Sequence, residues 1–240
     1  MRVPLNGRGL FVTGTDTDVG KTVVACAIAA TLAARGQLVS VFKPVVTGLA
    51  EGLDGPPDHE RLRASARSPQ SPAGVAPYRF DPPVSPHLAA QRAGVTLKPH
   101  HLRTAAHAAG AAGEVLVAEG VGGLMVPLAG DYLVRDLAAD LGLPVVVVAR
   151  PGLGTISHTL MTIECARAVG LEVKAVVLTP WPREPTAMHR SNRETISRLA
   201  GVEVATLRAL DVKRLALDPQ PQLPVERWVA APAPSHLVAV

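Results

Sequence analysis

Charge, aromatic residues and cysteine are all scarce in this chain. Charged residues fill 18% of its 240 positions and aromatic ones 3%, against 48% apolar. With a slightly positive mean hydropathy, such a chain can bury enough apolar surface to offset the entropy of folding, which excludes intrinsic disorder. Basic residues outnumber acidic ones, 24 to 20, but they are scattered, without a like-charge block or aromatic interleaving. A nucleic-acid surface is therefore not expected. The two cysteines, Cys26 and Cys165, lie in apolar, helix-like stretches and have the spacing of neither a disulfide framework nor a zinc site, which suits a reducing, cytoplasmic setting. No apolar run reaches the length of a membrane-spanning helix, and the N-terminal one is too short for a signal peptide, so no membrane partner is expected.

What the chain does have is alternation. Short Val/Leu-rich runs at Gly9 to Gly14, Leu38 to Lys43, Glu114 to Glu119, Pro144 to Ala149, Val173 to Leu178 and Val202 to Leu207 are apolar on consecutive residues instead of every second one, the mark of strands buried on both faces. Between them, helical periodicity falls at Lys21 to Ala34, Pro86 to Gly94, Pro99 to Ala112, Val134 to Leu141, Ile156 to Val169 and Thr186 to Leu199. The expected fold is a single α/β domain over residues 1–240, a doubly wound and mostly parallel sheet with helices on both faces. Residues 50–86, rich in proline, read as an active-site loop region, and 218–240 as a C-terminal tail.

The first strand runs into Gly14-Thr15-Asp16-Thr17-Asp18-Val19-Gly20-Lys21-Thr22 and then a helix, the order of a P-loop. Amides at a helix N-terminus face an anion, glycine allows close approach, lysine neutralises β/γ-phosphate charge, and the threonine hydroxyl suits Mg²⁺. The spacing is a variant, with five residues between Gly14 and Gly20. Strand two delivers Lys43 to the same carboxyl edge, and a lysine stands out where only five of the 24 basic residues are lysines. A compact ammonium suits a small anion better than a planar guanidinium. Strand three ends in Glu119-Gly120-Val121-Gly122-Gly123, a carboxylate where phosphate and metal would lie. Magnesium on a nucleotide takes one or two carboxylates besides phosphate and water. Asp58, in the loop after strand two, is the preferred second acid, with Asp54 and Asp16 as alternatives.

In this order, the segments resemble the dethiobiotin synthetase family. The P-loop variant, Lys43-Pro44-Val45 with Thr47-Gly48, Ser85-Pro86-His87, Glu119-Gly120-Val121-Gly122-Gly123 and Leu153-Gly154-Thr155-Ile156-Ser157-His158 match its signatures across residues 9 to 165. The resemblance implies ATP-dependent closure of a ureido ring from 7,8-diaminononanoate and CO2, with Mg²⁺, in a homodimer whose active sites lie near the subunit interface. It assigns Lys43 to the carbamate and γ-phosphate and Lys21 to the β/γ-phosphates. Asp18, Val19, Gly20, Thr22, Val23 and Gly120 to Gly122 fall to the nucleotide, and Thr22, Asp58 and Glu119 to Mg²⁺. Thr17, Thr47 and Ser85 go to the diamine, whose carboxylate is held by Gly154, Thr155, Ile156 and Ser157 of the partner subunit. His87 and His158 are taken as scaffold.

The match fails around the base. Thr179-Pro180-Trp181 stands where the family commonly has an Asn-Asp type pair, and Thr206-Leu207-Arg208 carries an arginine where proline is common. Nucleoside triphosphates other than ATP are therefore expected to be accepted, and Trp181 either stacks on a base or packs at a surface. A P-loop switch or partitioning ATPase, and a catalytically silent regulatory relative, are the alternatives. The small-molecule motifs weigh against the first, and retention of both lysines and the acids against the second.

Overall fold

Strands that are apolar on every residue need cover on both faces, and the chain provides it. The computed structural model describes residues 5, 8–50, 55–212 and 223–229. In chain order its elements are β1 (Arg8–Gly14), α1 (Lys21–Ala34), β2 (Val39–Phe42), β3 (Val45–Val46), α2 (Asp58–Ser65), α3 (Pro72–Val75), β4 (Tyr78–Arg79), α4 (Pro86–Arg92) and α5 (Pro99–Ala111). There follow β5 (Val115–Gly123), β6 (Pro127–Ala129), β7 (Tyr132–Leu133), α6 (Val134–Leu141), β8 (Val145–Ala149), α7 (Thr155–Arg167), β9 (Val173–Leu178), α8 (Ala187–Ala200) and β10 (Glu203–Thr206). Six strands form one sheet in the order β2-β5-β1-β8-β9-β10, every neighbouring pair parallel.

Successive residues of β1 serve opposite faces. Leu10 and Val12 pack with α1, whereas Phe11 packs with the layer that includes α5, α6, α7 and α8. Helix α1 is buried from Val24 through Leu32, and its alanines permit close approach to the sheet. Trp228, from a single 3₁₀ turn at Val225–Arg227, joins the same core. The chain leaves β1 toward β2 and β5 and later crosses to β8 on the other side, so the carboxyl ends of β1 and β5 border the crevice where such sheets bind ligands. There the register breaks. Val12 pairs with Glu119 but Gly14 with Gly123, so Gly120 to Gly122 bulge out of β5 just beyond the carboxylate.

Two features differ from the sequence reading. Asp58 is not in a loop but opens α2, and the proline-rich 50–86 region carries α2, α3 and β4. Helix α2 escapes a hydrophobic scan because it buries only His59, Leu62 and Ser65, one side chain per turn. Pro57 before it and the acids Asp58 and Glu60 in its first turn are the local signals that start it. Asp54 lies outside the described residues, as does most of 218–240.

Candidate active site

The phosphate loop is pinned from both sides. Thr15 N–H donates to Val148 O (3.0 Å) on β8, and an Arg150 guanidinium nitrogen donates to Thr17 O (3.1 Å). Gly20, the residue before α1, has φ of +93°, a left-handed conformation that side chains resist, and a Cβ there would come within 2.9 Å of Thr179 Cγ2. Lys21 folds back over the loop, its Nζ donating to Asp16 O at 2.7 Å. Burial disfavours the charge and holds this ammonium below the ordinary lysine range, so an arriving anion would favour its protonated form.

Below the loop lies a buried charge cluster. Lys43 Nζ sits 2.6 Å from Asp58 Oδ2 and 2.7 Å from Glu119 Oε1, and the Thr22 hydroxyl donates to the same Glu119 oxygen at 2.8 Å. Glu119 is 0% exposed and Lys43 4%. Burial opposes the charge on Lys43, but the two carboxylates outweigh it and hold the ammonium well above its usual range. Burial is also the main influence on Glu119, whose carboxyl is raised. Asp58 is lowered, since Lys43 beside it overcomes its partial burial. Glu119 Oε2 is buried with no hydrogen-bond partner. Leaving a carboxylate oxygen unsatisfied in the interior is costly, and a divalent cation would remove that cost.

Two cavities meet here. One, about 380 Å³, is lined by Lys21, Thr22, Lys43, Glu119 and neighbouring residues; the other, about 470 Å³, by Val46, Pro83, Val84, Ser85, Pro86 and Val126. Thr17, Asp18, Thr47, Asp58, Val121 and Gly122 line both. Gly20 and Val23 border the first. The apolar walls and few hydroxyls of the second suit an alkyl chain with polar ends.

Other residues singled out in the sequence lie elsewhere. Val19 is buried against the loop and Gly120 against Phe11 and Val134, so neither lines a cavity. The Asp16 carboxylate accepts from Thr17 N–H (2.7 Å) and is absent from both linings, whereas Ser85, just before α4, does line the second cavity. Gly154, Thr155, Ile156 and Ser157 start α7 but border neither cavity of their own chain. Thr179 is buried, Pro180 exposed, and Leu207 buried with its amide donating to Leu178 O and its carbonyl accepting from Trp181 N–H. Thr206 is half-buried and Arg208 exposed. Trp181 packs on the core, edge-on to His189. Sequence reasoning missed Arg61 and Arg150. Arg61, three residues after Asp58, borders the first cavity, and only recognition of α2 would have revealed that spacing.

A parallel sheet, a P-loop and a lysine between two acids at one carboxyl edge define a P-loop nucleotide-binding protein. A family profile described as an AAA domain matches residues 8–227. The fold is similar to that of a nucleotide-binding protein from Archaeoglobus fulgidus solved in complex with ADP, at a TM-score of 0.52 and 17% identity over 88% of this chain and 85% of that one. More specifically, the chain is 40% identical over 200 residues to an ATP-dependent dethiobiotin synthetase of Bacillus cereus, covering 83% of this chain and 82% of the relative. It is 42% identical to one of Anaeromyxobacter dehalogenans, covering 83% and 89%, and 35% identical to one of Bacillus subtilis, covering 82% and 85%. The chain belongs to the ATP-dependent dethiobiotin synthetase family and is accordingly an ATP-using ligase of biotin biosynthesis. Among the described residues, no helix is long and apolar enough to cross a membrane.

Proposed function

We propose that the chain closes the ureido ring of dethiobiotin from 7,8-diaminononanoate, CO2 and ATP, through a carbamate and a carbamic–phosphoric anhydride, as a cytoplasmic homodimer. One amine nitrogen adds to CO2 and loses a proton, giving the carbamate. A carbamate oxygen attacks the γ-phosphorus and ADP departs. The second amine then attacks the carbonyl carbon and loses a proton, the C–O bond to phosphate breaks with departure of inorganic phosphate, and a five-membered urea remains. Negative charge gathers at each step, and phosphoryl transfer asks a protein chiefly for positioning and electrostatic stabilisation. The observation that carries the reading is Lys43, buried between Asp58 and Glu119 on the wall of the first cavity, with its partner Asp58 bordering both.

Lys43 stabilises the carbamate and the transferring phosphoryl group, and Lys21 the β/γ-phosphates. Asp18 to Val23 receive the phosphates along the helix start, with Val121 and Gly122 opposite and Gly120 behind them. Mg²⁺ fits the residues present. Among the described residues no group of three or more His, Cys, Asp or Glu is gathered to hold a metal by itself, as expected for an ion completed by phosphate oxygens. Thr22, Asp58 and Glu119 would hold it, Glu119 through its unpartnered oxygen. When bound, the ion supplies positive charge to the phosphates. Thr17, Thr47 and Ser85 orient the diamine in the second cavity. Gly154 to Ser157 would reach its carboxylate from a second copy, a reading supported by their absence from their own chain's cavities and by the exposure of Leu153 (93%) and Met161 (59%) beside them.

The test is incubation with labelled bicarbonate, ATP, Mg²⁺ and the diamine. Labelled dethiobiotin is expected, one per ADP and phosphate released. ATP turnover without label in the product would overturn the reading in favour of a switch ATPase.

A further inference from the structure

A third cation faces the phosphate cavity. Arg61 sits on α2, three residues beyond Asp58 and so on the same helical face. Its Nε donates to Pro56 O at 2.6 Å, which turns the side chain back toward the start of α2, and its charge is felt by the Asp58 carboxylate. It lines the cavity that contains Lys21, Thr22, Lys43 and Glu119 and is absent from the lining of the diamine cavity, whereas Thr17, Thr47 and Asp58 border both. Arg61 therefore borders the nucleotide side alone.

Charge balance gives it a task. Lys21, Lys43 and Arg61 are matched in this cavity by Asp18, Asp58 and Glu119. Lys43 is committed to two of these acids, so its charge is largely compensated before any ligand arrives. A triphosphate adds more negative charge than Lys21 and one divalent ion neutralise, and a planar guanidinium can grip two oxygens of one phosphoryl group at once. We propose that Arg61 is a specificity-determining residue that binds the terminal phosphate of the nucleoside triphosphate and retains it as inorganic phosphate after transfer. Through this contact the enzyme distinguishes triphosphate from diphosphate. The inference rests on the nucleotide reading of this cavity but not on the identity of the second substrate.

Equilibrium binding of a non-hydrolysable ATP analogue and of ADP, both with Mg²⁺, tests it on wild type, Arg61→Gln and Arg61→Lys. Arg61→Gln is expected to weaken the analogue about ten- to a hundredfold, as for a lost charge-assisted hydrogen bond, with ADP affinity within about twofold. Arg61→Lys should recover part of the loss. In turnover, Arg61→Gln should raise KM for ATP far more than KM for the diamine and relieve product inhibition by inorganic phosphate. Equal weakening of analogue and ADP would mean that Arg61 only braces α2, and unchanged binding that it plays no part; either result overturns the proposal. If Arg61→Gln does not fold, Arg61→Lys decides by the same analogue-to-ADP ratio. A wild type that binds nucleotide but forms no dethiobiotin would refute the ring-closing function and leave this measurement standing.

Discussion

The two ends of the proposed nucleotide site are built differently. The phosphate end is built on buried charged side chains, with Lys43 just past β2, Glu119 on β5 and Thr22 on α1 linked at 2.7 to 2.8 Å. The base end is made of strand ends and loops. Thr179 is buried against Gly20, Pro180 has no amide proton, and Leu207 has already spent its amide and carbonyl on Leu178 and Trp181. A buried ion cluster punishes any change of shape or charge, because the remaining partner is left uncompensated. An end that offers few aimed polar groups has little to lose. Chemistry should therefore be sensitive to substitution at the first end and nearly indifferent to ligand identity at the second.

The sharpest expected effect is at Lys43. Lys43→Arg should keep the fold and bind nucleotide but lower kcat by a factor on the order of a hundred or more, as electrostatic stabilisation of the transferring group is lost. A point charge placed 2.6 and 2.7 Å from two acids cannot be replaced by a longer planar fork without displacing one of them. Lys43→Gln should do no better. Wild-type turnover in the arginine variant would take Lys43 out of the chemistry and erase the contrast.

Next come the acids. Glu119→Gln should raise the Mg²⁺ concentration for half-maximal rate by roughly tenfold or more, since it removes charge from a wholly buried oxygen donor. Asp58→Asn should do the same to a smaller extent, because its side chain is 37% exposed and water can substitute. Asp16→Asn should be nearly silent in the same titration, as its carboxylate is occupied by Thr17 N–H. A larger effect at Asp16 than at Asp58 would contradict the assignment.

Gly20→Ala probes the seam between the two ends. Forcing a side chain into φ of +93° costs about 1–2 kcal/mol, and its Cβ would also press on Thr179. Melting temperature should fall, and nucleotide affinity with it. An unchanged melting curve would show that the loop relaxes freely and that the ends are not mechanically joined.

How far the sequence went follows the same divide. Six strands were legible because apolar residues dominate each and do not keep to every second position, and α1 because the P-loop announces its start. Lys43 and Glu119 could be placed at one edge from their positions at strand ends, since parallel strands share a carboxyl side. What stayed hidden was α2. Its polar residues give no apolar stripe, so the sequence alone reads Asp58 as a loop residue and gives no reason to single out Arg61. The β6–β7 hairpin was hidden for a similar reason, being only a few residues long and set by tertiary packing. The bulge at Gly120 to Gly122 depends on pairing register, which composition does not encode.

The smallest expected effect concerns the base itself. Selectivity for adenine needs a donor and an acceptor aimed at the base edge, because rejection of the wrong base comes from buried polar groups it leaves unpaired. Here Thr179 is only 2% exposed and packs on the glycine that starts α1, and the amide of Leu207 closes a strand-to-strand bond. The phosphate contacts proposed along Asp18 to Val23, by contrast, would be blind to the base. ATP, GTP, CTP and UTP should accordingly give kcat/KM values within roughly tenfold of one another, a spread of about 1.4 kcal/mol. Steady-state kinetics at matched free Mg²⁺ measures this directly. A preference for ATP above about a hundredfold over every other triphosphate would break the comparison, because roughly 2.8 kcal/mol of discrimination requires base-reading groups at the end that here shows few. The backbone of Thr206 and Arg208, on either side of the committed Leu207, would then be the place to find them.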